Sequence, residues 1–155
     1  MPVIDKSKLP TKTGSSYPGG LNALVDGRSQ IALGDPAGLT QFGVNLVTLA
    51  PGAISSLRHW HQNQDEFAMV TQGVCTLVDD HGKTTMQVGD CAAFPAGDAN
   101  GHNIVNETDA PAIFLVVGTR TKTEVGHYSD VDLKVEVADG IYNFTRRDGS
   151  AVEDT

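Results

Sequence analysis

Short apolar or alternating segments recur along this chain from Ile31 onward, about every eight to twelve residues. The segments that predict strands are residues 44–49, 53–61, 66–70, 74–78, 84–88, 91–94, 102–106 and 112–117. Turn residues such as those of Ala50-Pro51-Gly52 separate them. Many short strands with Gly and Pro between them predict an all-β sandwich or barrel.

The two ends of the chain carry weaker patterns. Residues 1–30 are rich in Gly, Ser, Pro and Lys and predict an N-terminal arm or irregular segment. The best helical candidate, residues 22–32, is interrupted by Gly27. Residues 125–128, 133–137 and 142–144 are candidates for further strands. We therefore predict an arm at 1–30, a barrel at 31–120, and C-terminal strands with a polar tail at 121–155.

Length and charge narrow the classes of function. The 155 residues fit one domain with a core, and 11 Lys and Arg against 19 Asp and Glu give a net charge of −8. This balance argues against a nucleic-acid partner, which requires clustered cations. The longest apolar run, residues 112–117, is far shorter than the roughly 20 residues of a membrane helix. Residues 1–10 lack the apolar segment of a secretory signal, so we expect a cytoplasmic protein with no membrane contact.

Four side chains form a candidate metal site: His59, His61, Glu66 and His102. On a strand, residues two apart share a face, so His59 and His61 should project together. A turn follows, and an antiparallel neighbour that begins at Glu66 would bring its carboxylate close to both imidazoles. The loop of residues 95–101 then leads His102 into a further strand. Such imidazole and carboxylate groups can hold a divalent metal.

Alternation also predicts the surroundings of this site. Trp60 and Arg58 should face away from the candidate ligands, whereas Leu57, Ala68 and Val70 should line the cavity. No cluster of Lys or Arg is expected to face the cavity and hold a phosphate.

The two cysteines do not predict a disulfide-stabilised fold. Cys75 and Cys91 lie inside predicted strands, without the spacing of a metal clamp or a redox motif. We expect both to be small buried side chains.

Two stretches of the chain resemble the paired motifs of the cupin superfamily. Gly52, His59, His61, Glu66 and Gly73 resemble the first motif, and Gly89, Pro95, Gly97, His102 and Asn106 resemble the second. The resemblance covers about residues 31–120 and is to small single-domain bacterial cupins with one conserved barrel. It implies a double-stranded β-helix (jelly-roll) barrel, a homodimer, and a metal held by His59, His61, Glu66 and His102.

The resemblance leaves the metal and the reaction open. It favours Fe, Mn or Ni, and an octahedral ion would keep two positions for substrate, whereas four protein ligands would saturate tetrahedral Zn; Zn and Co stay possible. The expected function is that of a metal-dependent enzyme acting on a small organic substrate, either a dioxygenase or an isomerase or epimerase for sugars or sugar phosphates. A non-catalytic module that binds a small ligand is the alternative.

Overall fold

The computed structural model describes residues 2–153, and within this range it contains thirteen strands and three short 3-10 helices. The strands are β1 (Thr11–Thr13), β2 (Arg28–Ala32), β3 (Phe42–Leu49), β4 (His59–His61), β5 (Glu66–Gln72), β6 (Cys75–Asp79), β7 (Gly82–Met86), β8 (Cys91–Phe94), β9 (Asn103–Val105), β10 (Ala112–Thr119), β11 (Thr123–Tyr128), β12 (Lys134–Ala138) and β13 (Ile141–Thr145). The 3-10 helices span Lys6–Lys8, Gly19–Val25 and Asp35–Ala37.

The strands form three antiparallel sheets. The large sheet has the order β1-β2-β3-β10-β5-β8, the four-stranded sheet has the order β13-β12-β11-β4, and the three-stranded sheet has the order β7-β6-β9. Strands that are distant in sequence are neighbours in each sheet, as in a jelly roll. The prediction of an all-β jelly-roll barrel is confirmed.

The main core lies between the large sheet and the three-stranded sheet. Its buried apolar residues come from both: Val47, Leu49, Ala68, Val70, Ala112 and Phe114 from the large sheet, and Cys75, Met86 and Ile104 from the other. The strand register explains why these residues face the core, because Ala68 lies opposite Val116 and Val70 lies opposite Phe114. Inward residues two apart on neighbouring strands therefore form one continuous apolar face.

One glycine of the first motif has a clear structural role. Gly73 follows β5 with φ 71°, a backbone conformation that favours glycine. A Cβ atom there would lie 2.7 Å from the carbonyl oxygen of Pro111. The turn from β5 to β6 therefore requires a residue without a side chain.

The region before β5 differs from the prediction in two ways. Only His59–His61 of the predicted strand 53–61 is a strand, and residues 55–58 form bends. Strand β4 pairs with β11 and not with β5, which lies between β10 and β8 in the large sheet. The expectation that Glu66 is on an antiparallel neighbour of the histidine strand is wrong, since Glu66 approaches from the facing sheet.

The N-terminal segment is more regular than predicted. Strand β1 and most of β2 lie within residues 1–30, and β2 pairs with β3 along its whole length. The helical candidate at residues 22–32 holds the end of a 3-10 helix followed by β2. Strand β2 crosses the predicted boundary between residues 30 and 31, and the division into three segments stays a prediction.

The cysteines follow the prediction only in part. Both thiols are free, with Cys75 buried and Cys91 exposed. Cys91 begins the edge strand β8 and lies opposite Met69 on the outer side of the large sheet. The expectation that Cys91 is buried is therefore wrong. No helix in residues 2–153 is long and apolar enough to cross a membrane, and the predicted cellular location stays a prediction.

Candidate metal centre

The two histidines of β4 project from the same face of the four-stranded sheet. Their ring centroids lie 4.9 Å apart with the planes nearly perpendicular. His59, His61 and Glu66 each offer a donor atom, and these atoms all lie within 4.8 Å of one another. The structure therefore brings three of the four predicted side chains into a group that could hold a metal ion.

Glu66 contacts two imidazoles from the opposite side of the barrel. Its Oε1 lies 2.8 Å from His102 Nε2, and its Oε2 lies 3.3 Å from His61 Nε2. Burial alone would raise the pKa of the carboxyl, but the contacts with His102 and His61 and the positive character of the imidazoles lower it well below its usual range. The Glu66 side chain is therefore an ionised carboxylate near neutral pH.

His102 directly precedes β9 of the three-stranded sheet, and its side chain reaches the group from there. Its backbone N–H donates to His59 O at 2.9 Å, and His59 N–H donates to His102 O at 3.1 Å. The residue is 3% exposed, and its ring stacks on Phe94 with a centroid distance of 3.5 Å. His102 thus contacts Glu66 directly, although it is outside the tighter group of three.

The other ring nitrogens of the β4 histidines face groups that orient them. His59 Nδ1 lies 2.8 Å from the carbonyl oxygen of Leu57, an arrangement in which Nδ1–H donates and Nε2 is free to ligate. His61 Nδ1 lies 3.6 Å from Oε2 of Glu124, a buried carboxylate. Glu124 Oε1 accepts the backbone N–H groups of Asn63 and Val125.

These surroundings separate the pKa values of the two histidines. Burial lowers the pKa of His59 to about 4. For His61 burial also acts downward, but Glu66 and Glu124 outweigh it and raise the pKa. Sequence reasoning did not identify Glu124, although alternation in β11 places it on the same face as Gly126 and Tyr128.

The residues present fit a divalent cation. His61 Nε2, which lies 3.3 Å from Glu66 Oε2, is buried without a hydrogen-bond partner in the described part of the chain, and His102 Nε2 faces the same carboxylate. Neutral imidazole nitrogens around an ionised carboxylate are suitable ligands for a divalent transition metal. The donor set does not distinguish among Fe, Mn, Ni, Co and Zn.

A cavity of about 690 Å³ opens from this group of side chains. Its lining includes His59, Glu66 and His102 beside apolar residues such as Ala68, Phe114 and Val116. Further polar lining comes from Tyr17, Gln30, Asn45, Ser55 and Asn103. Ala68 therefore lies where alternation predicted it.

Two other side chains that were expected to line the cavity lie in the cores instead. Val70 belongs to the main core, and Leu57 packs with Tyr128, Leu133 and Val135 in a second buried cluster.

Comparison with known proteins identifies the fold family. A family model described as a cupin domain matches residues 45–118. One similar protein of known crystal structure is described as a sugar phosphate isomerase from a cupin superfamily and comes from Silicibacter pomeroyi. Its sequence is 60% identical to this chain, and the two structures align with a TM-score of 0.96. The match covers 98% of this chain and 97% of that chain. The chain belongs to the cupin superfamily.

More distant structures share the cupin fold. A putative sugar phosphate isomerase from Acidithiobacillus ferrooxidans is 25% identical, with a TM-score of 0.76 over 96% of this chain and 90% of that chain. The polyketide cyclase RemF from Streptomyces resistomycificus is 20% identical, with a TM-score of 0.63 over 77% and 79%, and shows the shared fold alone. A search of curated proteins found no significant match.

Two arginines line the cavity of this cupin, against the expectation that no cationic cluster faces it. Arg28 comes from β2, and Arg120 follows β10. Arg120 Nη1 lies 2.6 Å from Asp35 Oδ1, so a carboxylate matches its charge. The sequence prediction missed Arg28 because β2 lies in the segment that was expected to be irregular.

Arg58 and Trp60 lie on the other side of β4 from the cavity, as alternation predicts. Arg58 bonds both carboxylate oxygens of Asp130 and one of Asp80. It also donates to the carbonyl oxygen of Gly101 at 2.9 Å, which holds the residue just before His102. Trp60 stacks on His127 of the adjacent strand with a centroid distance of 4.1 Å.

Proposed function

We propose that this cupin is a metal-dependent isomerase for a small hydroxy-carbonyl compound of the sugar or sugar-phosphate type. The observation that carries the proposal is the convergence of His59, His61 and Glu66 at a cavity large enough for such a substrate. The description of the Silicibacter pomeroyi relative as a sugar phosphate isomerase supports the choice of reaction.

His59, His61, Glu66 and His102 are the proposed ligands of one divalent ion, with Fe, Mn or Ni favoured. When bound, such an ion supplies Lewis-acid polarisation of a substrate oxygen. The chain itself supplies orientation: the Leu57 carbonyl fixes the His59 ring, and Phe94 stacks on the His102 ring.

The cavity walls suit a polyhydroxylated substrate. The apolar wall of Ala68, Phe114 and Val116 would exclude water from one side of it. The amide side chains of Asn45 and Asn103 would bind its hydroxyl groups.

Assays of metal-loaded protein test this function. Protein purified without chelator or nickel resin is analysed for metals, and metal-free samples are reloaded with Fe, Mn, Ni, Co or Zn. Isomerisation of aldoses, ketoses and their phosphates is then followed by NMR. Metal-dependent turnover of one substrate class supports the proposal. Oxygen uptake with a substrate would favour a dioxygenase, and tight metal binding without turnover would favour a non-catalytic binding module.

The fourth ligand has a test of its own. His102→Ala should sharply lower metal occupancy, because it removes an imidazole that contacts Glu66 at 2.8 Å. His81→Ala is the matched control, since His81 is exposed in the turn between β6 and β7. Full retention of metal in His102→Ala would remove His102 from the proposed ligand set.

We also propose that the protein forms a homodimer through the outer face of the large sheet. Leu46 and Met69 lie opposite Leu115 in register on that face, and Phe67 is 38% exposed. A partly exposed apolar sheet face of this kind gains stability when a second copy covers it.

The test of the dimer places a charge on this face. Met69→Glu should give monomers in sedimentation equilibrium, whereas Thr84→Glu on exposed β7 should not change the assembly. A monomeric wild-type protein would contradict the proposal.

A further inference from the structure

We propose that Arg28 is the receptor for an oxyanion carried by the substrate, a phosphate or a carboxylate, at a position in the cavity apart from the metal centre. The inference rests on the proposed function for the placement of the reacting part of the substrate near His59 and Glu66. It adds a substrate class and a residue that determines specificity.

The bonding of Arg28 is incomplete. Its side chain is partly buried, and Nη2 donates to Oε1 of Gln30 at 2.6 Å. Its Nε is buried without a hydrogen-bond partner. None of the ion pairs within residues 2–153 includes Arg28. Burial lowers the pKa of the guanidinium, but an arginine stays protonated near neutral pH.

Other well-bonded arginines in the described chain show how unusual this arrangement is. Arg58 is matched by Asp130 and Asp80, and Arg120 is matched by Asp35. Arg147 donates to three backbone carbonyl oxygens. A partly buried cation whose side-chain hydrogen bond within residues 2–153 goes to a neutral amide carries a desolvation cost without the compensation that a carboxylate gives. An anionic ligand would supply that compensation.

Gln30 completes the receptor. Its Oε1 accepts the Arg28 bond, so its amide nitrogen remains as a second donor. Arg28 and Gln30 are two apart on β2, and both line the cavity. A guanidinium beside an amide N–H group is a donor arrangement that suits a phosphate or carboxylate.

The same cavity connects this receptor with the candidate metal centre. His59, Glu66 and Arg28 all line it, and its volume of about 690 Å³ lies within the usual range for sites of small molecules. Neutral polar groups of Asn45 and Asn103 are also part of the lining. The complementary ligand is a polyhydroxylated chain with an oxyanion at one end.

Calorimetric titration of metal-loaded protein tests the inference with four probes: fructose 6-phosphate, fructose, gluconate and inorganic phosphate. We expect the wild-type protein to prefer the phosphorylated sugar or gluconate over fructose. Arg28→Gln should raise the Kd of the preferred anion by about 30-fold or more, because it removes a partly desolvated charge-assisted contact. Arg28→Lys should lie between, since it keeps the charge but loses the planar donors.

The matched control is Arg120→Gln, which removes a cavity arginine whose charge Asp35 already balances. It should change the Kd by less than about threefold, because the Arg120 side chain is 43% exposed, its charge is already paired with that of Asp35, and solvent screens exposed charges. Circular dichroism and thermal denaturation verify that each variant is folded. Preference for fructose 6-phosphate identifies a phosphate as the source of the anion, and preference for gluconate identifies a carboxylate.

The results separate this inference from the proposed function. Arg28-dependent binding of an anion without isomerisation would leave the inference standing and contradict the isomerase. Turnover of a sugar phosphate with an unchanged KM in Arg28→Gln would support the isomerase and overturn the inference. Failure of the wild-type protein to bind any of the anions, or a larger effect of Arg120→Gln, would also overturn it.

Discussion

Replacement of Glu124 by Gln should weaken metal binding while the barrel stays folded. Glu124 is 4% exposed, and its Oε1 accepts the backbone N–H groups of Asn63 at 2.9 Å and Val125 at 2.7 Å. A glutamine oxygen can keep both bonds. The change falls on Oε2, which lies 3.6 Å from His61 Nδ1 and has no hydrogen-bond partner.

The expected magnitude follows from the tautomer of His61. A carboxylate oxygen near Nδ1 favours the proton on Nδ1 and leaves Nε2, 3.3 Å from Glu66, free to bind a metal. A glutamine N–H group there favours the opposite tautomer, in which Nε2 carries the proton. Loss of such an orienting group typically lowers metal affinity by about 10- to 100-fold. The free energy of unfolding of the metal-free protein should change by only about 1 kcal/mol.

A competition titration with a chelator measures the affinity for Mn or Zn, and urea denaturation measures the stability. Glu136→Gln is the control, because Glu136 is exposed on the neighbouring strand β12 and its side chain bonds only to Lys134 among the described residues. Wild-type affinity in Glu124→Gln, or an equal loss in Glu136→Gln, would refute the reasoning about His61.

Three further predictions concern the stability of the metal-free protein. Lowering the pH from about 7 to about 4.5 should destabilise the metal-free protein. Burial lowers the pKa of His59 from 6.5 in the unfolded chain to about 4 in the folded protein. The unfolded chain therefore binds the proton first, and stability is lost as the pH falls below 6.5. Urea denaturation at both pH values should show a smaller loss in His59→Gln, and an equal loss would contradict this cause. Asn106→Leu should cost about 2–4 kcal/mol, because the carbonyl oxygen of Leu49 loses its buried side-chain donor and that of Ala110 loses one of two side-chain donors; an unchanged thermal midpoint would contradict this. Leu133→Ala should cost about 2–5 kcal/mol in urea denaturation, since Leu133 is 1% exposed in the second core cluster, and a loss below about 1 kcal/mol would show that the cluster collapses around the gap.

Local alternation predicted the strands well and their partners poorly. The predicted segment 91–94 is strand β8, and the predictions for 44–49 and 112–117 fall inside β3 and β10. These strands have a buried face, so the apolar period is visible in the sequence. Pairing of β4 with β11 joins residues 65 to 69 positions apart, and a pattern within one segment carries no information on such a partner.

The missed residues of the site have a different explanation. All five residues of β2 are partly buried, so Arg28 shows no contrast with an exposed neighbour. Glu124 is a carboxylate at an inward position, where alternation leads one to expect an apolar side chain. Polar residues of this kind break the pattern that reveals a strand, and they become recognisable only when the opposite wall of the barrel is known.

Buried polar atoms without partners give an argument for the site that does not depend on family likeness. Within residues 2–153 such side-chain atoms belong to Arg28, His61, His102, Asn103, Glu124 and Thr145. Arg28, His102 and Asn103 line the main cavity, and His61 and Glu124 adjoin it through the contact of His61 with Glu66. Each such atom costs about 1–3 kcal/mol of stability, and folded proteins contain few of them. Five of the six residues thus border or adjoin one cavity, and among their atoms Nε of Arg28 and Nε2 of His61 are those that an anionic ligand and a metal ion would satisfy.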